Sequence, residues 1–207
     1  MAEYPWRSAN PQPSHAILLP TIRDVLKRRL VGSPNLRLID IGAGNGALAA
    51  ALAEDGYAIL GVEPSRDGLQ HAREAFPHLR FEEGDAYEDL AGRFGPFDAV
   101  ISCEVIEHLL TPGQFLRRAR EMMATTSLLI ISTPYHGYLK NLLISAVGKW
   151  DFHHHPECEY GHVKFFSRRT LNTLAEEAGL KEVEFHRVGR LPAVAKSMIS
   201  VFQRSDA

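Results

Sequence analysis

The chain has 207 residues, 45% hydrophobic and 23% charged, with a formal net charge of −2, which is enough chain and apolar content for one globular domain with a good-sized core. Without a basic surplus no nucleic-acid partner is expected. Two cysteines, Cys103 and Cys158, are too few for a disulfide framework. No apolar run reaches the length of a membrane span or a signal h-region, so a cytoplasmic setting is expected.

Met1 to Ser14 is polar and punctuated by Pro5, Pro11 and Pro13. It predicts no regular element. Its aromatic residues Tyr4 and Trp6 suit either a flap over the site or simple packing on the domain surface. His15 to Leu30 predicts an amphipathic helix, with Pro20 leaving its first turn open. Leu36 to Ile41 reads as a buried strand, and Asp40-Ile41-Gly42-Ala43-Gly44-Asn45-Gly46 as a glycine turn into a helix that starts near Leu48. Glycine reaches positive φ without strain, and its missing Cβ lets a ligand approach the backbone. A loop at this edge of a parallel sheet is where α/β folds bind ligands. The alternative is a tight turn with no ligand.

Tyr57 to Val62 predicts the second strand, ending at Glu63 about 20 residues beyond the glycines, where Rossmann-type sites place an acid for ribose hydroxyls. A helix over Arg66 to Phe76 follows, then a third strand at Arg80 to Glu83 ending in Gly84-Asp85-Ala86. The fourth strand runs from Pro96 to Cys103, a helix from Pro112 to Met123, and a fifth strand from Ser127 to Ser132. Tyr135 to Trp150 predicts a helical insert with Leu139, Leu142, Leu143, Ile144 and Val147 as its apolar face. Asp151 to Gly161 predicts a histidine-rich loop. A helix over Ser167 to Ala178 has Ser167 as N-cap and Gly179 beyond its end. Lys181 to Val188 and Ser197 to Arg204 close the chain as two strands. Alternating strands and helices predict an α/β fold: a seven-stranded, mostly parallel sheet with helices on both faces and one antiparallel strand. The expectation is a single domain over 1–207, with a lead and helix over 1–35 and a lid insert over 135–166.

The spacing D-x-G-x-G-x-G differs from the dinucleotide fingerprint, because its third glycine comes one residue early, and no G-x-x-x-x-G-K-[ST] is present. The stretch resembles motif I of the class I S-adenosylmethionine (SAM)-dependent methyltransferases, and the order of elements from about residue 36 onward is similar to their Rossmann-like fold. The resemblance implies SAM as cofactor. Asp40, Gly42, Ala43, Gly44 and Gly46 would lie on its methionine and ribose side, Glu63 at the ribose hydroxyls, and Asp85 and Ala86 at the adenine. The backbone carbonyl of Cys103 would meet the methionine amino group.

Methyl transfer from a sulfonium needs a nucleophile held in line and kept deprotonated. Six of the ten histidines fall between positions 108 and 162. Glu104, Glu107 and His108 have the spacing of one helical turn. Two carboxylates and an imidazole together share protons or a cation. Glu104-Val105-Ile106-Glu107-His108, with the later His162 ahead of Val163-Lys164-Phe165-Phe166, resembles the E-x-x-E-H pattern of ubiquinone-pathway O-methyltransferases and small-RNA 2′-O-methyltransferases. That resemblance implies a divalent metal, Mg²⁺ or Mn²⁺, on Glu104, Glu107, His108 and His162, with Glu107, His108 and His162 as catalytic groups. The same pentapeptide also suits a pocket wall without metal. Zinc held by Cys158 and the neighbouring histidines lacks any regular ligand spacing. The expected activity is methyl transfer to a small-molecule acceptor, at a hydroxyl oxygen. N- or S-methylation without metal, a non-catalytic SAM-binding module and an RNA 3′ end are the alternatives. Oligomeric state is left open.

Overall fold

A computed structural model describes residue 6 and residues 8–30, 35–154, 156–159 and 161–206. Its strands are β1 (Arg37–Ile41), β2 (Ala58–Glu63), β3 (Arg80–Glu83), β4 (Phe97–Cys103), β5 (Met123–Pro134), β6 (Leu180–Val188) and β7 (Ser197–Arg204). They form one sheet in the order β3-β2-β1-β4-β5-β7-β6. The first five strands run parallel, and β7 pairs antiparallel with both β5 and β6. This is the predicted seven-stranded, mostly parallel sheet. The order reverses beside β1, so the loops after β1 and β4 flank a switch point at the carboxyl edge, where ligands bind in open α/β sheets.

The helices are α1 (His15–Arg29), α2 (Ala47–Ala53), α3 (Arg66–Ala75), α4 (Leu90–Phe94), α5 (Pro112–Glu121), α6 (Tyr138–Ala146), α7 (Trp150–His154) and α8 (Arg168–Glu177). Successive strand residues face opposite sides of a sheet, and the core follows this period. Ile39, Val100, Leu129 and Ile131 pack with Phe115 of α5 and Leu171 of α8. Leu38, Ala99, Ile101, Leu128 and Ile130 pack on the other side with Leu18 and Ile22 of α1, Leu52 of α2 and Leu69 of α3. Helices therefore cover both faces. Ser167 caps α8 by accepting from the Thr170 N–H, with the reciprocal Thr170 bond in place, and Gly179 follows with φ +75°.

The helix α1 starts at His15, as expected, and runs through Pro20. Three expectations shift. β5 is longer than predicted at both ends. Leu90–Phe94 forms a short helix capped by Asp89, which accepts from the Gly92 N–H. The start of the predicted histidine-rich loop is helical, as α7. Among the described residues no helix is long and apolar enough to cross a membrane.

Candidate active site

The loop after β1 is built for close backbone approach. Gly42, Gly44 and Gly46 all have positive φ, +77°, +56° and +79°, a region that L side chains avoid. The N–H groups of Gly42 and Ala43 both donate to the Val62 carbonyl, at 2.8 and 3.0 Å. Glu63 is buried at the end of β2. Its Oε2 accepts from the Gly44 N–H at 2.7 Å and its Oε1 from the Ser65 N–H at 3.0 Å. Thus the acid read from sequence as a ribose ligand also ties the glycine loop to the start of α3.

Trp6 lies over this loop. A Cβ on Gly44 would overlap the Trp6 indole, and one on Gly68 would come within 3.0 Å of it. His71 Nε2 is 3.2 Å from the Trp6 carbonyl. The Asn45 amide donates to the carbonyls of Ser8 and Asn10, each at 2.8 Å. The N-terminal lead is therefore a strap across the glycine turn, which favours the flap reading of Trp6; Tyr4 lies outside the described residues. Asn45 was not singled out from sequence. An asparagine inside a glycine turn, with a polar lead upstream, is the signal that marks it.

Asp40 is buried one strand position before the turn, and its Oδ2 has no hydrogen-bond partner among the described residues. Burial, reinforced by the Glu63 charge, pushes its pKa up to about 7. Asp85 Oδ1 accepts from the Tyr87 N–H at 2.7 Å, an Asx-turn that orients the loop after β3. Ala43 and Ala86 are buried. Burial first, then the Asp40 and Glu104 charges, raises the Cys103 thiol, which keeps it protonated and unreactive.

Beyond β4 the expected four-residue set becomes three. The only helical turn there is a 3-10 turn, Ile106–His108. Glu104 precedes it in the left-handed region, φ +54°. Its N–H bonds the Ser132 carbonyl, and its carboxylate accepts from Ser132 Oγ at 2.9 Å and Ser197 Oγ at 3.4 Å. The β4 strand must end before a helical turn can start, so Glu104 cannot share a helix face with Glu107 and His108. It is held by β5 and β7 instead.

Glu107, His108 and His162 do converge. One ligand atom from each lies within 4.8 Å of the others. His162 Nε2 is 4.0 Å from Glu107 Oε1, inside the roughly 4.2 Å that one ion with ligands at about 2.1 Å spans. Glu107 is 1% exposed, and among the described residues neither carboxylate oxygen has a hydrogen-bond partner of good geometry. Burial, then the Glu104 charge, pushes its pKa well up, which the nearby Thr133 hydroxyl only partly offsets. Its main-chain carbonyl accepts from the N–H groups of Val163 and Lys164, both at 2.9 Å, and this clamp brings the His162 segment across. His108 Nδ1 is 3.2 Å from the Gly161 carbonyl. A carbonyl only accepts, so Nδ1 carries the proton and the neutral ring presents Nε2 as the basic nitrogen. Burial, then the neighbouring His108, lowers the His162 pKa to about 4. A buried acid with unused oxygens beside two imidazoles fits a divalent cation with mixed oxygen and nitrogen ligands.

In the lid, Leu139, Leu142, Leu143 and Val147 of the predicted apolar face are 45% to 62% exposed, and the one buried residue of α6 is Lys140. His136, ahead of it, is buried with the Asn141 side chain as its polar neighbour, and among the described residues neither ring nitrogen makes a hydrogen bond of good geometry. It stacks on His154 and meets Phe165 edge-on, at 5.6 and 5.1 Å between centroids. His155 and Tyr160 lie outside the described residues. His136 is one of the six histidines clustered between positions 108 and 162 in the sequence, whereas Lys140 was not singled out; a lysine inside a leucine-rich helix was the available signal.

Residues 15–184 match the model of a methyltransferase domain family. The chain belongs to this methyltransferase family. The ubiquinone biosynthesis O-methyltransferase of Azorhizobium caulinodans is 37% identical over 150 residues, covering 66% of this chain and 58% of that protein. The ubiquinone biosynthesis O-methyltransferase of Caulobacter sp. strain K31 is 35% identical over 117 residues, covering 55% and 46%. The chain thus spans about half the length of the curated relatives it matches. In structure it is similar to magnesium protoporphyrin IX methyltransferase from Synechocystis PCC 6803 with bound SAH. The TM-score is 0.68 and the identity 17%, over 90% of this chain and 83% of that one. The Rossmann-like methyltransferase fold inferred from motif I is the observed fold.

Proposed function

We propose that the protein transfers a methyl group from SAM to a hydroxyl oxygen of a small molecule, with a phenol or catechol as the acceptor class. The observation that carries this reading is the convergence of Glu107, His108 and His162 beside the glycine loop, at the edge where this fold places its reaction. Asp40, Gly42, Ala43, Gly44, Gly46 and Glu63 hold the methionine and ribose side of the cofactor. Glu63 is held by the Gly44 and Ser65 N–H groups at the tip of β2, the position from which an acid reaches ribose hydroxyls in Rossmann-type sites. Asp85 and Ala86 border the adenine, and the Cys103 carbonyl receives the methionine amino group.

At the acceptor, His108 Nε2 takes the hydroxyl proton, because the Gly161 carbonyl holds the proton of this ring on Nδ1. His162, kept neutral at pH 7, and Glu107 orient the oxygen. Glu107, His108 and His162 are also the residues that would hold a divalent metal, and such an ion lowers the pKa of an oxygen bound to it. The donor set of one carboxylate and two imidazoles suits Mn²⁺, Fe²⁺ or Zn²⁺ better than Mg²⁺. The names of the A. caulinodans and Caulobacter relatives support an oxygen acceptor.

The test is SAM-dependent methylation of a catechol and phenol panel by tag-free protein, with and without EDTA, alongside metal analysis. Turnover abolished by EDTA and restored by Mn²⁺ supports the metal-assisted form. EDTA-insensitive turnover that is lost in His108→Ala supports the base alone. Methylation of amines or thiols but no hydroxyl overturns the reading.

A further inference from the structure

Apolar exposure in this protein is concentrated in one place. Of the eleven large apolar side chains that stand exposed among the described residues, seven lie between Tyr138 and Phe152, each about half exposed or more. At roughly 150–250 Å² for a large side chain, these seven present on the order of 700 Å². A monomer rarely leaves so large a patch uncovered, and each partner in a standard interface contributes about 800 Å².

The orientation of α6 is fixed from its other side. Lys140 is the one charged residue of this helix and its one buried residue. Its Nζ donates to the main-chain carbonyls of Tyr135, at 2.9 Å, and Lys196, at 3.4 Å. Those bonds tie the inner face of the helix to the residue after β5 and the residue before β7. Next to it the lid is filled by rings. His136, His154 and Phe165 pack on one another, with centroids 5.0 to 5.6 Å apart. The leucines are left facing outward. Leu139, Leu142, Leu143, Ala146 and Val147 are all exposed, and they follow i, i+3, i+4, i+7 and i+8, the pattern of a helix face that packs against another element.

We propose that this stripe is the interface of a two-fold homodimer, in which α6 of one copy packs antiparallel on α6 of a second copy of this chain. The charge pattern favours that partner. A two-fold contact sets a surface against itself, so any charge near the axis meets its like. α6 exposes no charge, because its only cation is turned inward. A helix that lies on a lipid surface instead carries Lys or Arg on its polar face, whereas the polar residues left on α6, Asn141 and Ser145, are neutral. With the axis at Leu143, this side chain meets its own copy, Leu139 meets Val147 of the partner subunit, and the small Ala146 lets the helices approach closely. The inference is independent of the acceptor reading.

Sedimentation velocity of tag-free protein tests it. At about 50 μM, within the affinity range of an interface this size, the expected mass is about twice the 23.1 kDa of one chain. Leu143→Asp and Leu143→Lys each set like charges on the axis, and each should be monomeric at that concentration. An equimolar mixture of the two should regain the doubled mass, because unlike charges then face each other. Far-UV circular dichroism checks that both variants fold. Wild-type protein that stays monomeric up to about 100 μM overturns the proposal and needs no variant. A doubled mass kept by Leu143→Asp alone, or a mixture that stays monomeric, overturns the contact at Leu143. Monomeric wild-type protein that floats with anionic phospholipid vesicles would reassign the face to a lipid surface and overturn the dimer.

Discussion

His162 Nε2 stands 4.0 Å from Glu107 Oε1, and among the described residues neither Glu107 oxygen has a hydrogen-bond partner of good geometry, only the Thr133 hydroxyl close by. A carboxylate taken out of water without donors is destabilising, and a cation relieves it. Mn²⁺ or Zn²⁺ should therefore raise the melting temperature of EDTA-treated protein, and Glu107→Gln should remove that increment while making the metal-free protein more stable by about 1 kcal/mol or more. Differential scanning fluorimetry reads both. An unchanged melting temperature over millimolar metal would leave the three groups as a proton-transfer site alone.

Much of this was legible in the sequence, for identifiable reasons. Motif I was readable because a buried strand, three alternating glycines and a helix start each impose their own residue types, and they agreed. Glu63 was readable from its distance along the chain. Glu104 was misplaced because E-x-x-E-H reads equally well as one continuous helix. The strand end at Cys103 was read from sequence, but only the structure shows that Glu104 sits at φ +54° between that strand and the 3-10 turn. The orientation of the lid was not legible for a related reason. Periodicity identifies the apolar face of α6 but not what that face meets, and here the packing turns Lys140 inward. Long-range contacts such as Val163 and Lys164 on the Glu107 carbonyl leave no trace in local pattern.

Gly44 carries two independent constraints, a φ of +56° and the Trp6 ring where a Cβ would stand. Gly44→Ala should thus destabilise the protein by about 1–3 kcal/mol and displace the strap. Intrinsic fluorescence in a Trp150→Phe background isolates Trp6 and should show it more solvent-exposed in the alanine variant. An unaltered Trp6 spectrum would mean that the strap does not depend on this glycine.

Glu63 joins the glycine loop to the start of α3 through the N–H groups of Gly44 and Ser65. Glu63→Ala leaves two buried donors without partners. It should lower stability by about 2–4 kcal/mol and weaken SAM binding at least tenfold. Calorimetry with SAM and with SAH gives the affinity. An unchanged dissociation constant would remove Glu63 from the cofactor site and leave it as a loop brace.

Asp40 opposes folding as pH rises. Its pKa is raised to about 7, by burial first and by Glu63 second, whereas an unfolded aspartate titrates near 3.9. Between those values the folded state keeps a proton that the unfolded state has lost, so stability contributed at this position falls as pH rises from about 4 to about 7 and stays low above that. Asp40→Asn is neutral throughout and escapes the penalty. Its stability gain over wild type should be near zero at pH 4 and grow to more than about 1 kcal/mol by pH 8, a rise of some 2–4 °C or more in melting temperature for a chain of this size. If Asp40 also serves the cofactor, SAM affinity falls in the same variant, so stability and binding move in opposite directions. Parallel denaturation and calorimetry at pH 5 and pH 8 separate the two. A gain independent of pH would show that Asp40 is ionised in the folded protein across the range.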